Sequence, residues 1–469
     1  MTLNTLLKQA FDHHRAGQLD RAEDIYSFIC NADSSNAQVF YLRGLIAQER
    51  GEYEKAIALF GNALQKGAAH PEVYSQLART HNLAGNHDAA LENYKKALTI
   101  DPVNVDALCN SANIMGQVGL FKDALINYRA ALERSPESPT INYNAGTLHL
   151  QQFQPEKAIP YFESAIRLKP DYASAHNSLG VALTDSGKPE NAIAYFRQSH
   201  ALERAFVEPL FNLHGIYLDQ GSTGESLKCL TEAVAIAPDN LTYRFFLGLL
   251  HQYLGNAKAG ADCLAPLREK HEVKAEMESL DYLYSVSPTL PTMTGNNLAP
   301  IKLAIENARI EGLVLEFGVY NGKSIRLIAS LADSIVHGFD SFEGIPEEWA
   351  SERKGSYSAF GVLPEVPDNV MLHPGWFEDS IPEFTKTEKG PIRFINIDCD
   401  LYSSTKTIFD LLGSQIVPGS VILFDEFIGY PTWKDDEFKA FNEAAEQYNW
   451  AYDILCFSFM TKQVAIRIK

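Results

Sequence analysis

Residues 51–84 read GEYEKAIALFGNALQKGAAHPEVYSQLARTHNLA, and residues 85–118 read GNHDAALENYKKALTIDPVNVDALCNSANIMGQV. Set one under the other, they share a grammar more than an identity. A small residue holds the sixth place (Ala56, Ala90), a bulky aromatic follows four later (Phe60, Tyr94), and another small residue three after that (Ala63, Ala97). That spacing lies on one face of a helix. The register extends in both directions, through Ala22, Ala56, Ala90, Ala124, Ala158 and Ala192 at intervals of 34 residues, then weakly through Ser226 and Gly260. A second small residue stands twelve places before each key alanine (Ala10, Gly44, Ala78, Ala112, Gly146, Gly180), and Gly17, Gly51, Gly85, Gly119 and Gly187 mark a turn between two helices. Pro102, Pro136, Pro170 and Pro238 stop the second helix, since proline lacks the N–H to continue it. Antiparallel helices cross tightly only where neither carries a large side chain. The pattern therefore predicts stacked helical pairs, with the aromatic filling the gap toward the next pair.

This array resembles the tetratricopeptide repeat, whose signature is the 34-residue period. It covers residues 3–270 as about eight repeats, with degenerate units at the ends acting as caps. The resemblance implies an all-α solenoid that binds a protein or peptide partner in its inner groove, or that makes a homo-oligomer of whatever it is attached to. Gln76, Asn110, Asn144, Ser178 and Asn212 recur at one inner position. They are similar to the polar ladder with which some such arrays grip an extended peptide, and an amide can satisfy both a donor and an acceptor. A solvated polar face would carry the same residues.

After Leu267 the register is lost, and Val286-Ser287-Pro288-Thr289-Leu290-Pro291 reads as a linker, so 271–297 is expected to join two domains. From 298 to 469 apolar runs alternate with helical stretches: Leu313–Leu315, Ile335–Phe339, Val370–Leu372, Phe394–Ile397 and Val421–Phe424, with helices from about Lys323 and Thr405. Strands alternating with helices predict an α/β, doubly wound, mostly parallel sheet. Tyr452–Phe457 and Gln463–Ile468 have no helix between them and are expected to close it as an antiparallel hairpin.

Bulk composition narrows the function. The 469 residues carry a formal charge of -19, and an acidic surface repels nucleic-acid backbone. No nucleic-acid partner is expected. The N-terminal residues do not form a signal-peptide core, and no apolar run reaches the roughly 20 residues needed for a membrane span. A cytoplasmic protein is the expectation. Six cysteines without CxxC spacing read as reduced thiols.

Three segments carry chemistry. Glu316-Phe317-Gly318-Val319-Tyr320-Asn321-Gly322 is a G-x-x-x-G turn from a strand into a helix, at the edge where nucleotide-like ligands bind. Tyr320 occupies the place where a dinucleotide site wants its second glycine, so a cofactor without a pyrophosphate fits better. Asp340, at the end of the next strand, suits ribose hydroxyls or serves as a turn or capping residue. Asn396-Ile397-Asp398-Cys399-Asp400-Leu401-Tyr402-Ser403-Ser404-Thr405, with Phe424-Asp425-Glu426 on the neighbouring strand, brings four carboxylates to one edge. Like charges so close must share a proton or a cation, and an oxygen-only set favours magnesium. Asp400 or Ser403 as a helix cap is the simpler alternative. Lys354-Gly355-Ser356-Tyr357 lies in a long connection that reads as a lid or an ordinary loop.

Together with Asp340-Ser341-Phe342-Glu343-Gly344-Ile345-Pro346, Gly375 to Pro382 and Pro418 to Glu426, these segments occur in the order seen in macrocin O-methyltransferases, which the region 298–430 resembles. The resemblance implies a class I, Rossmann-like methyltransferase that uses S-adenosylmethionine. It implies cofactor contacts from Glu316, Gly318, Tyr320, Asn321, Gly322, Ser324, Asp340, Ser341, Phe342, Trp376, Phe377 and Asp398. Mg2+ on Asp398, Asp425 and Glu426 and a general base at Asp400 follow from the same source. The acceptor would be a hydroxyl of a small molecule, sugar or glycan. Glu426 and Cys399 depart from the family, which usually has aspartate and glycine there, and the tail from Gly429 through Trp450 differs. A non-catalytic scaffold and a protein methyltransferase are the rival readings.

Overall fold

A computed structural model describes every residue except Met1, Pro288 and Ser351. The chain forms two compact units, Met1–Gln152 with Ser164–Pro170, and Phe153–Glu163 with Asp171–Lys469.

The first unit is helical throughout its described elements. Leu3–Arg15 pairs with Leu19–Ala32, Ala37–Glu49 with Tyr53–Gln65, Pro71–Leu83 with His87–Ile100, and Val105–Gln117 with Phe121–Arg134. The key alanines Ala22, Ala56, Ala90 and Ala124 are fully buried. A Cβ on Gly44 would stand 2.6 Å from the Phe60 ring. The aromatic therefore seats first on the small residue of its own repeat, and it reaches Val73 and Leu77 of the following repeat as part of the same cluster. The contact within its own repeat adds to the expected one with the next.

In the second unit the helical pairs Ala173–Asp185 with Pro189–Leu202, Glu208–Asp219 with Thr223–Ile236, and Leu241–Tyr253 with Ala257–Leu264 continue the array. The segment 271–297 is built: a helix spans Lys274–Val286 and a short strand, β1, spans Thr292–Met293. Pro288, within the stretch read as a linker, lies outside the described residues. Among the described residues seven further strands follow: β2 Leu313–Phe317, β3 Val336–Asp340, β4 Val370–Pro374, β5 Ile392–Ile397, β6 Val421–Phe424, β7 Tyr452–Phe457 and β8 Val464–Ile468. They form one sheet in the order β1-β7-β8-β6-β5-β2-β3-β4. Only β8 is antiparallel to its neighbours. This is the expected α/β sheet with its terminal hairpin, and β2, β5 and β6 are near-continuous apolar runs because helices cover both faces. Among the described residues no helix is long and apolar enough to cross a membrane.

One hydrophobic core runs from the last repeats into the sheet. Phe245 and Leu250 share it with Met293, Phe424 and Phe459, and the Phe245 and Phe459 rings meet edge to face at 5.0 Å. Beside it two backbones nearly touch, because Gly215 and Gly295 leave no side chain between them. A Cβ on Gly295 would lie 2.2 Å from the Gly215 carbonyl oxygen. The Gly295 N–H donates to Asp219 Oδ1 at 2.7 Å, and the Asn296 amide donates to the other oxygen. Burial pushes that carboxyl up to about 7.

Gly295→Ala should lower stability by at least about 2 kcal/mol, because the obstacle is backbone that cannot rotate away. Gly224→Ala, in a helix where a Cβ meets nothing within 4 Å, should instead add up to about 1 kcal/mol. Denaturant unfolding of both variants tests the contrast, and equal effects would refute the close-approach account.

Candidate functional site

The carboxyl ends of β2, β3, β5 and β6 open into a cavity of about 810 Å³. Gly318 fixes its floor: with φ of 93°, its backbone passes so close to β5 that a Cβ would fall 1.6 Å from the Asp398 carbonyl oxygen. No other residue type fits there. The ladder continues past the strands, with the Asp398 N–H on the Phe317 carbonyl (2.8 Å) and the Asp425 N–H on the Ile397 carbonyl (2.9 Å). Asp398 and Asp425 are thereby set side by side.

Of the residues expected from the sequence, Gly318, Tyr320, Asn321, Ser324, Asp340, Ser341, Trp376, Phe377, Asp398, Asp400, Asp425 and Glu426 all line this cavity. Glu316, Gly322 and Phe342 lie behind its lining. Glu316 is fully buried at the end of β2, accepts from the Asn396 amide at 3.1 Å, and is pushed by burial up to about 8. Gly322 caps the helix Lys323–Leu331 in a left-handed conformation. Phe342 is buried, and its N–H donates to Asp340 Oδ1 at 2.6 Å. Asp340 Oδ2 accepts from the Val319 and Tyr320 N–H groups, both at 2.8 Å. Asp340 thus staples the G-x-x-x-G turn as well as lining the cavity.

The acids outnumber the cations that reach them, Lys462 and Lys323. Burial first, then neighbouring carboxylates, raises Asp398 well above the usual range and holds Asp400 at about 7. Burial lifts Glu426 to about 7 against the pull of Lys462, and raises Asp425 against its hydrogen bond from Gln463. Asp400 also sits at φ of 62°, as Tyr320 (47°), Phe342 (57°) and Tyr357 (61°) do. Backbone conformations that L residues avoid are concentrated around this cavity, as they are at functional sites generally. Asp400 and Ser403 do not cap the following helix. It starts at Tyr402, three residues before the expected Thr405, and its N-cap position Leu401 makes no side-chain bond.

The expected metal ligands Asp398, Asp425 and Glu426 share the cavity but do not converge. Among the described residues no three His, Cys, Asp or Glu side chains gather closely enough to hold an ion. Two residues missed in the sequence bond two of these acids: Gln463 Nε2 donates to Asp425 Oδ1 at 2.6 Å, and Lys462 Nζ lies 3.1 Å from Glu426 Oε2. The hairpin register holds the signal for Gln463, since Phe424 pairs with Val464 and the next residues along are Asp425 and Gln463. Glu437 was missed as well. It is fully buried at the start of the helix Glu437–Gln447, accepts from the Glu426 N–H at 3.3 Å, and is raised well above its usual value by burial and by Asp400, Asp425 and Glu426. The segment suspected of being a lid supplies Trp349, Lys354 and Tyr357 as a wall.

Comparison with known families matches residues 315–427 to a methyltransferase domain. Residues 35–102, 112–172 and 143–202 match tetratricopeptide repeats. Among curated proteins, the 8-demethyl-8-(2,3-dimethoxy-alpha-L-rhamnosyl)-tetracenomycin-C 4'-O-methyltransferase of Streptomyces olivaceus is 25% identical over 170 residues, covering 29% of this chain and 62% of that protein. The chain thus spans less than two thirds of that relative. Solved structures similar to the repeats include YrrB, described as a TPR protein with an unusual peptide-binding site (23% identity, 39% of this chain and 95% of that chain, TM-score 0.35). The C-terminal part of a TPR repeat-containing protein from Cytophaga hutchinsonii is another (15% identity, 50% and 97%, TM-score 0.44). The chain carries tetratricopeptide repeats and a methyltransferase domain.

A carboxyl whose pKa is raised by folding binds its proton more tightly when folded, so its contribution to stability is present below the unfolded value and is lost as pH rises. Glu437→Gln removes one such group. At pH 8 the variant should be more stable than the parent by about 1 kcal/mol or more, a gain that shrinks toward about pH 4. Denaturation midpoints across that range measure it, and a pH-independent difference would contradict the electrostatic cause.

Proposed function

We propose that this chain is an S-adenosylmethionine-dependent methyltransferase that acts on a hydroxyl of a sugar, glycan or related small molecule. The observation that carries the reading is the sign of the cavity. Asp340, Asp398, Asp400, Asp425 and Glu426 line it against Lys323 and Lys354, and a buried acidic lining repels a pyrophosphate and attracts a cation. A nucleoside cofactor bearing a sulfonium suits that field, and a dinucleotide does not. Tyr320, standing where a dinucleotide site wants glycine, supports the same choice. The volume suits a cofactor and an acceptor together.

Bound here, the cofactor would supply an electrophilic methyl group. The chain's own task is to prepare the oxygen that receives it, because an alcohol is a poor nucleophile until its proton is removed. Asp400 suits that role: it faces the cavity, and burial holds it at about 7, so a large fraction is available as base at neutral pH. The excess of buried carboxylates and their oxygen-only character favour a divalent cation, magnesium, which Asp398, Asp425 and Glu426 would hold in exchange for Gln463 and Lys462 and which would acidify the hydroxyl. The relative from Streptomyces olivaceus is named for methylating a sugar oxygen, which supports a hydroxyl acceptor. The repeats would recruit a protein or peptide partner. Asn144 and Asn212 donate to Asn113 and Asn177 at 3.2 and 3.1 Å, and an amide so bonded keeps further capacity for a peptide backbone.

Titration calorimetry should give micromolar binding of S-adenosylmethionine, with magnesium producing its own heat of binding. Asp400→Asn should leave cofactor affinity unchanged and reduce turnover by roughly 10²- to 10⁴-fold on whichever acceptor the parent methylates. Retained turnover would remove Asp400 from the mechanism, and absence of cofactor binding to the parent would sink the enzyme reading.

A further inference from the structure

The turn between the two helices of a repeat is made by glycine at residues 17, 51, 85, 119, 187, 221 and 255, each with φ between 71° and 81°. One position breaks the series. At 153, 34 residues after Gly119 and 34 before Gly187, the chain carries phenylalanine, held at φ of 53°. A left-handed conformation costs an L residue free energy that glycine does not pay. The turn itself gives no reason for the exception, since seven others are made without it.

The surroundings of Phe153 give one. Phe153 is 41% exposed, and it lines the cavity. It meets the Tyr320 ring edge to face at 5.7 Å, and Tyr320 meets Tyr357 at 6.1 Å, so three aromatic rings form a continuous wall. Lys323 Nζ stands 6.0 Å from the Phe153 ring centre and 3.0 Å from Asp185 Oδ1. The array also holds the wall in place. Arg326 pairs with Glu156 at 3.8 Å and donates to the Asn321 carbonyl at 3.0 Å. The next turn, at Gly187, abuts Leu327 so closely that a Cβ would be 2.9 Å from it. Two successive inter-helix turns thus run along the helix Lys323–Leu331, and the one beside the G-x-x-x-G turn carries the aromatic.

We infer that Phe153 is a cofactor-binding residue lent to the methyltransferase cavity by the repeat array, and that its ring covers S-adenosylmethionine where the ligand lies against the Gly318–Ser324 turn. The inference rests on the cofactor reading given above. Its physical content is that ligand binding buries the exposed part of an aromatic ring, a favourable term proportional to the apolar area covered. The array is then part of the enzyme's binding site as well as a recruiting surface. Backbone strain at a position where glycine would serve is retained because the side chain contributes to binding.

The register supplies its own test variant. Phe153→Gly restores the residue the other seven turns use, so the full-length protein should fold with an unchanged or higher melting temperature. Calorimetric titration with S-adenosylmethionine should show affinity weakened at least about 10-fold, as expected from losing most of an aromatic contact, with a less negative heat-capacity change on binding. Phe153→Tyr should retain the parent's affinity. Phe28→Ala, which removes an exposed aromatic from another repeat, should leave it unchanged. An affinity for Phe153→Gly within twofold of the parent overturns the inference while leaving the cofactor reading intact. A parent that binds no S-adenosylmethionine overturns both, and this is distinguishable because it fails before any variant is made.

Discussion

Six carboxyl groups, Glu316, Asp398, Asp400, Asp425, Glu426 and Glu437, are crowded around one end of one sheet, and the cations nearest them are Lys462 and Lys323. A protein interior does not tolerate that many negative charges, so some must hold protons unless a cation joins them. Much of the local architecture follows from this. Gln463 and Lys462 are brought back by the terminal hairpin to the two acids that follow β6. The antiparallel strand β8, which lies between β7 and β6, is in this sense an electrostatic part of the site, since a parallel strand there would enter from the opposite edge and could not deliver its first residues to the acids.

How far the sequence disclosed this depends on whether a feature is periodic, adjacent or distant. The array was legible because its constraint repeats: Ala56 and Ala90 answer to the same steric demand, so chance agreement is excluded by repetition. The strands were legible because burial on both faces leaves runs such as Val421–Phe424 with no polar residue. The ends of β2, β3, β5 and β6 were legible because parallel strands in register present their carboxyl ends together, so a motif read on one line becomes a site in space.

What escaped the reading lacks local signature. Glu437 is one acid among many in an amphipathic helix, and only burial distinguishes it. The Gly215–Gly295 contact joins residues 80 apart in sequence, and neither glycine lies in a recognisable turn. The helix Lys274–Val286 fell in a stretch that reads as a linker because its apolar residues serve a core shared with the last repeats rather than one of its own. The metal set is a different case. Three carboxylates at family spacing suggest convergence, but a sequence cannot say which neutral or cationic side chains already occupy them.

Phe153 combines both kinds of evidence. Its signal was present in the sequence as a gap: the series of turn glycines omits one member between Gly119 and Gly187. A missing repeat residue has two physical meanings, relaxed selection on a turn that tolerates anything, or a competing demand strong enough to accept strain. Sequence cannot separate them, since both leave a non-glycine. The structure separates them by direction. A relaxed position would be free to adopt a conformation comfortable for its new side chain, whereas Phe153 keeps the left-handed backbone of the glycines it replaces and places its ring against Tyr320 at the cavity wall. Geometry conserved under strain, with chemistry changed only where a ligand cavity opens, is the pattern expected when a scaffold element has been drawn into a binding site.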